Sequence, residues 1–257
     1  SRKPAVPASN AEVRTAPPVP VVAQPAAPAV AAPAPSRPVL SVADAGKDAR
    51  AQAEAGNPQI DKRVPALTPQ QTAENEYRAA SAALNQGRLA EAQQGFQLAL
   101  QSNPSHVGAR QALFGLLVET KKTSEAEKVL QDGLRINPNQ TGFALALSTL
   151  QFERGNLAEA IETMQRSAPA AQGSPDYLAR LAALLQRQSR HGEAVEYYQA
   201  ALRLAPGSGV WQMGLGISLQ GLNRTAEARD AYRRARESNA LSPELQAFVD
   251  QRLKQLQ

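Results

Sequence analysis

Apolar residues recur with a period of 34 residues along the C-terminal two thirds of the chain, and the pair Glu-Ala marks each period. A bulky residue stands four positions after each alanine, and a small residue stands three positions further on. Residues spaced in this way lie on one face of an α-helix, so the pattern predicts a buried helix face that repeats five times. The Glu-Ala pairs begin at Glu91, Glu125, Glu159, Glu193 and Glu227. The bulky residues are Phe96, Leu130, Met164, Tyr198 and Tyr232, and the small residues are Ala99, Gly133, Ser167, Ala201 and Ala235.

A second helix is indicated in every period by a residue thirteen positions before each alanine: Ala79, Leu113, Leu147, Leu181 and Leu215. This pattern resembles the tetratricopeptide repeat (TPR), a pair of antiparallel helices. The resemblance implies an all-α fold, a TPR α-solenoid that forms a right-handed superhelix of about five helix pairs with a concave inner face. The predicted repeats span residues 73–106, 107–140, 141–174, 175–208 and 209–242.

Helix starts are predicted where a hydroxyl residue precedes a proline, at Thr68, Ser174 and Ser242. The last of these begins a further amphipathic helix, residues 243–257, whose apolar side includes Phe248 and Val249. Because terminal repeats need a solubilising cover, we expect this helix to cap the array. The predicted TPR domain therefore spans residues 68–257.

Two features of the repeats allow more than one interpretation. The recurring glutamates fall in the first turn of each second helix, where they favour the helix dipole; a stripe of acidic binding residues is the alternative. In the third repeat, Pro169 follows Ser167 and Ala168 and predicts that the second helix ends early. A shortened helix with a longer loop, or a hinge, would result.

The N-terminal part of the chain has a different composition. Residues 1–70 hold 13 of the 19 prolines and no aromatic residue, which predicts a disordered Pro/Ala-rich linker over residues 1–67. A docking site for a partner that reads polyproline is the alternative. The longest uncharged stretch, residues 15–36, contains seven prolines and does not suit a membrane helix. Since the chain begins at Ser1, we expect a fragment whose membrane anchor lay upstream.

The composition argues against catalysis. The chain has no cysteine and two histidines, so no thiolate site and no His-based metal site is expected. His106 and His191 are interpreted as surface or capping residues. There is no Ser/His/Asp arrangement or phosphate loop either, and we predict no catalytic, cofactor-binding or metal-binding residue, no cofactor and no small-molecule substrate.

The net charge of +5 divides between the two parts of the chain, with +3 in residues 1–70 and +2 in the remainder. The densest basic cluster is Arg233, Arg234 and Arg236, whose neighbours include Asp230 and Glu237. A solvated helix face is favoured over a phosphate-binding patch, and we expect no nucleic-acid partner.

The TPR resemblance implies that the first helix of each pair lines a groove that binds a protein partner. The Lys/Asn/Arg set with which chaperone-binding TPR domains hold a terminal carboxylate is absent, and the projected positions are mainly apolar. They suit an amphipathic helix or an extended apolar segment; burial between neighbouring helices is the alternative. Phe152, Met213 and Ile217 are expected to be partly exposed. The predicted groove residues are Tyr77, Leu84, Val118, Leu145, Phe152, Val210, Met213 and Ile217.

The last 80 or so residues narrow the family. The segments YLARLAALLQRQSRHGEAVEYYQAAL, PGSGVWQMGLGISLQ and LSPELQAFVDQRL resemble mannose-sensitive haemagglutinin (MSHA) pilus biogenesis proteins of the MshN type. Trp211, Gly214 and Gly216 are the distinctive positions. This resemblance implies a non-catalytic scaffold of type IV pilus or related secretion assembly, periplasmic and held to the inner membrane by a helix outside this chain. A cytoplasmic TPR adaptor, of a co-chaperone-like kind, is the alternative.

Overall fold

The structure, a computed structural model, describes residues 66–256. The predicted linker lies almost wholly outside these residues. Within them the chain forms eleven α-helices, one 3-10 helix at Ala168–Ala171 and no strand. The helices are α1 (Pro69–Asn85), α2 (Leu89–Ser102), α3 (Val107–Glu119), α4 (Thr123–Ile136), α5 (Thr141–Glu153), α6 (Leu157–Ser167), α7 (Pro175–Arg187), α8 (His191–Leu204), α9 (Gly209–Gly221), α10 (Thr225–Glu237) and α11 (Pro243–Gln255).

The ten helices α1 to α10 form five pairs, and each pair packs on the next one along the chain. The predicted TPR solenoid is therefore confirmed for residues 66–256. We call α1, α3, α5, α7 and α9 the first helices of the pairs, and α2, α4, α6, α8 and α10 the second helices.

The positions predicted to be buried form the interior of the solenoid. All five bulky residues are at most 5% exposed, and all five small residues are buried. The small residues let neighbouring helices approach: a Cβ added at Gly133 would lie 2.4 Å from Cδ of Arg110. Of the second apolar set, only Ala79 is exposed, because α1 has no described helix pair on its outer side.

All three predicted helix starts are confirmed, because Thr68, Ser174 and Ser242 are the N-cap residues of α1, α7 and α11. Thr68 forms a capping box with Gln71, and the Ser242 hydroxyl accepts a hydrogen bond from the Leu245 amide. The Ser174 side chain differs from the other two in making no cap hydrogen bond. Its backbone N–H instead donates to Ala171 O at 2.8 Å and closes the turn after the 3-10 helix.

The second helix of the third repeat ends early, as predicted, because α6 stops at Ser167 and the 3-10 helix follows. Two hydrogen bonds hold this junction. The Ser167 hydroxyl donates to Pro138 O at 2.6 Å, and the Tyr177 hydroxyl donates to Met164 O at 2.8 Å. These bonds favour a shortened but fixed helix over a hinge.

The C-terminal helix covers the last repeat. Val249 and Leu253 on α11 are buried at 0% and 8% exposure in the same core cluster as Tyr232. The Phe248 ring packs edge-on against Tyr232, with 6.5 Å between ring centroids. The predicted cap is thus confirmed. No helix among residues 66–256 combines the length and hydrophobicity needed to cross a membrane.

Candidate partner-binding groove

First helices contact each other at both ends of the array, α1 with α3 and α7 with α9, and side chains of α7 reach α5 in the middle. The outward sides of the first helices are considered together as one face. Near the C-terminus, the Gln186 side-chain amide on α7 donates to Gly214 O and to the Ser218 hydroxyl on α9, each at 2.7 Å. Near the N-terminus, His106 Nε2 lies 3.2 Å from a carboxylate oxygen of Glu74. We call this face the groove.

Seven of the eight predicted groove residues keep part of their side chain accessible. Val118 is the most open, at 43% exposure. Phe152 and Ile217 are half-buried, as expected. The half-buried residues are Tyr77, Leu84, Leu145, Phe152, Val210 and Ile217.

Met213 was expected to be partly exposed, and this prediction is wrong because Met213 is only 4% exposed. It belongs to the core cluster of the C-terminal repeats. The hydrogen bonds from Gln186 hold α7 close to α9 at Gly214. Met213 directly precedes Gly214 and is therefore buried where the two helices meet.

A row of small residues runs along the middle of the groove, one from each of the first four pairs, and Ile217 ends it. The row consists of Ser81, Gly115, Thr149 and Ala183. Gly115 is exposed in the middle of α3, and nothing lies within 4 Å of an added Cβ. Gly214 and Gly216 differ, because a Cβ there would come 2.4 Å and 2.8 Å from the rings of Tyr198 and Tyr232.

Two arginines of α7 lie at the middle of the groove, and the repeat pattern did not reveal either of them. Arg180 Nη1 lies 3.5 Å from the Thr149 hydroxyl on α5, and the guanidinium of Arg187 lies 4.9 Å from the ring centroid of Phe152. Each follows a projected groove position by one residue. The seven-residue spacing of Arg180 and Arg187 places them on one side of a first helix, and this spacing could have identified them in the sequence.

The N-terminal end of the groove is polar. An open cleft of about 650 Å³ lies between α1 and the start of α3, lined by Glu74, Arg78 and His106 among others. His106 Nδ1 accepts the Ala109 amide at 3.0 Å, so its predicted capping role is confirmed. Hydrogen bonds from His106 and Arg78 lower the pKa of the Glu74 carboxyl.

His191 is half-buried and is not the N-cap residue of α8, so the predicted capping role is wrong for it. The N-cap of α8 is Arg190, and a Cβ added at Gly221 would lie 2.6 Å from the His191 ring. Nδ1 is buried and has no hydrogen-bond partner in the described part of the chain. The ring therefore helps to pack α8 against the end of α9.

The recurring glutamates act at the helix starts rather than in the groove. Arg190 and Arg224, the N-cap residues of α8 and α10, each pair with the glutamate three residues on, at 2.6 Å. Hydrogen bonds from these arginines lower the pKa of Glu193 and of Glu227. A structural role at the dipole is favoured over an acidic binding stripe.

The basic cluster of α10 has acidic neighbours, which favours a solvated helix face. In the basic cluster of α10, Arg233 lies 3.4 Å from Asp230, and Arg236 lies 3.8 Å from Asp250 on α11. Between residues 66 and 256, no group of three His, Cys, Asp or Glu side chains is placed to hold a metal ion.

Comparison with known proteins agrees with this architecture. Models of the tetratricopeptide repeat match residues 73–141, 112–175 and 176–239. The chain is a tetratricopeptide repeat protein. Repeats of this family are interaction modules that generally lack catalytic activity.

Solved structures with the same fold include two TPR proteins. A crystal structure of MamA is 18% identical with a TM-score of 0.54, covering 67% of this chain and 98% of that one. YrrB, described as a TPR protein with an unusual peptide-binding site, is 16% identical with a TM-score of 0.58, covering 70% and 92%. At these identities the likeness concerns the fold. No curated protein has significant sequence similarity to the chain.

Proposed function

We propose that this TPR protein is a non-catalytic scaffold that binds an apolar segment of a protein partner in the groove. The observation that carries the proposal is the row of half-exposed apolar side chains on the first helices, of which Leu145, Phe152 and Ile217 are the central ones. Contiguous accessible apolar surface commonly marks a protein interaction site. The peptide-binding site ascribed to YrrB supports the same use of the fold.

We further propose that the partner belongs to a type IV, MSHA-like pilus or a related secretion assembly. This step depends on the resemblance of residues around Trp211, Gly214 and Gly216 to MshN-type proteins. The proposed location is the periplasm, with the scaffold held at the inner membrane by a segment outside this chain.

The test is affinity purification of the chain from the cells that produce it, followed by mass spectrometry. We expect pilus or secretion assembly proteins to be recovered with the native chain. The Phe152→Asp/Ile217→Asp double variant places two carboxylates on the apolar surface. We expect that these assembly proteins are no longer recovered with it. Leu204→Asp is the control, because Leu204 is 49% exposed at the end of a second helix.

The outcomes separate the two parts of the proposal. Undiminished recovery by a folded double variant, with folding checked by circular dichroism, would contradict the groove. Groove-dependent recovery of proteins unrelated to pili or secretion would contradict the pilus assignment only. Cell fractionation that places the full-length protein in the cytoplasm would contradict the periplasmic location.

A further inference from the structure

Arg110 on α3 is a buried cation that forms no ion pair with any Asp or Glu of residues 66–256. The residue is only 5% exposed. Burial lowers the pKa of its guanidinium, although the charge of Asp132 opposes this shift. Asp132 is itself paired with Arg135 at 2.8 Å. Because an arginine keeps its charge in a protein and a buried charge is costly unless it is paired, Arg110 is suited to a carboxylate from outside the chain.

Two backbone carbonyls hold the guanidinium of Arg110 but do not neutralise it. Nη1 donates to Val129 O at 2.8 Å, and Nη2 donates to Pro104 O at 2.6 Å. A guanidinium has five N–H groups, and the others of Arg110 have no acceptor in the described part of the chain. The two bonds fix the orientation of the group, so that little side-chain entropy is lost when it binds an anion.

A small pocket opens beside this guanidinium. Its volume is about 50 Å³, and Arg110, Gly133 and Gln140 are among the residues that line it. One water molecule needs roughly 10–15 Å³, so the pocket has room for the two oxygens of a carboxylate. None of the described residues that line the pocket is acidic. Gln140 is the N-cap of α5, and its side chain makes no cap hydrogen bond, so that its amide can donate to an anion.

Two apolar side chains also line the pocket and remain exposed. Val107 at the start of α3 is 37% exposed, and Ile136 at the end of α4 is 45% exposed. Because they belong to different helices, a residue on either side of the group that enters the pocket can cover one of them. A glutamate between two apolar residues fits this arrangement, since its side chain is long enough to reach a buried guanidinium.

We propose that this pocket binds a glutamate side chain of a protein partner, with an apolar residue on each side of that glutamate. The carboxylate pairs with Arg110, whose planar N–H groups match its two oxygens. The apolar neighbours cover Val107 and Ile136. The site is separate from the groove and does not depend on it. It is specific to the second repeat, because the residues equivalent to Arg110 one and two repeats further on are Ala144 and Leu178.

The test uses three short synthetic peptides that share a leucine on each side of the central position. The first has a central glutamate and an amidated end, the second has a central glutamine and an amidated end, and the third has a central glutamine and a free C-terminal carboxylate. NMR titration of the full chain measures binding into the millimolar range. We expect the glutamate peptide to bind about tenfold more tightly than either of the others, because its hydrogen bonds to Arg110 are charge-assisted.

Equal binding of the first two peptides, a preference for the third, or no binding of the glutamate peptide would overturn the proposal. Arg110→Met should remove the preference for glutamate, and a preference that survives in this variant would contradict the pocket. Phe152→Asp/Ile217→Asp should leave the binding unchanged. Loss of binding in that double variant would mean that the peptide occupies the groove, and the proposal would fail.

A second pair of variants tests the pocket with Arg110 intact. Ile136→Glu places a carboxylate of the chain itself at the pocket, so that the thermal midpoint should be about 2–4 °C higher than that of Ile136→Gln. Leu204→Glu and Leu204→Gln are the matched controls and should have equal midpoints. Leu204 stands two repeats after Ile136 and is 49% exposed, and Leu178 takes the place of Arg110 there. The same midpoint difference in both pairs would overturn the proposal.

Discussion

The interior of the solenoid and its groove are built from the same five helix pairs but follow different rules. Inside, each repeat keeps a bulky residue and a small residue at equivalent positions, from Phe96 and Ala99 in the first to Tyr232 and Ala235 in the last. In the groove, the equivalent positions change from repeat to repeat, as Gly115, Thr149 and Ile217 show. Repetition therefore defines the fold, whereas the positions that vary are those at which we propose specific binding.

The contact between the last repeat and α11 belongs to the interior, and we expect the largest loss of stability when it is removed. Ending the chain after Ser242 exposes the surface that Val249 and Leu253 cover. Burial of two such side chains is worth about 3–6 kcal/mol together. We expect a lower urea midpoint and self-association in size-exclusion chromatography. A shortened chain that stays monomeric with unchanged stability would show that α11 is not part of the core.

A smaller effect is expected when an interior position is overfilled. Ala194 is fully buried, and Ala194→Leu should cost about 1–3 kcal/mol of unfolding free energy. Gln111 stands one repeat of 34 residues from the groove residues Tyr77 and Leu145 and is exposed on α3. Gln111→Leu is therefore the groove counterpart and should change stability by less than about 0.5 kcal/mol. Urea denaturation of both variants measures the difference. Similar losses for the two would contradict the distinction between interior and groove.

The sequence predicted the interior better than the groove for a physical reason. The interior positions repeat, so that each one, such as Met164 or Tyr198, is supported by four equivalents. Exposure in the groove depends on how closely each first helix approaches the next. The hydrogen bonds from Gln186 draw α7 close to α9 beside Met213. The 34-residue period does not predict these bonds, because they are not repeated along the chain.

The buried tyrosines make the interior sensitive to alkaline pH. Burial raises the pKa of Tyr177 and Tyr198, and that of Tyr232 to about 12. The unfolded chain ionises its tyrosines near pH 10, so their contribution is complete below pH 10 and is lost as the pH rises towards 12. At pH 11 the loss is up to about 1.4 kcal/mol for each tyrosine.

Urea midpoints between pH 8 and pH 11 measure this loss. Tyr232→Phe removes one ionisable group and should give a shallower decline than the native chain. Parallel pH profiles for the two proteins would show that Tyr232 does not contribute.

The smallest effect is expected in the turns between paired helices, where one residue per repeat has a positive φ. Glycine occupies this position at Gly87 and Gly155, but Ser189 has the same conformation with φ of 61°. The left-handed conformation costs a side chain about 1–2 kcal/mol, and glycine loses about 0.5–1 kcal/mol in backbone entropy. Ser189→Gly should therefore stabilise the chain by about 0.5–1 kcal/mol.

Gly155→Ala, at φ of 83°, is the control of opposite sign. Thermal unfolding should show a higher midpoint for the first variant and a lower one for the second, and a drop for Ser189→Gly would mean that the serine side chain stabilises the turn.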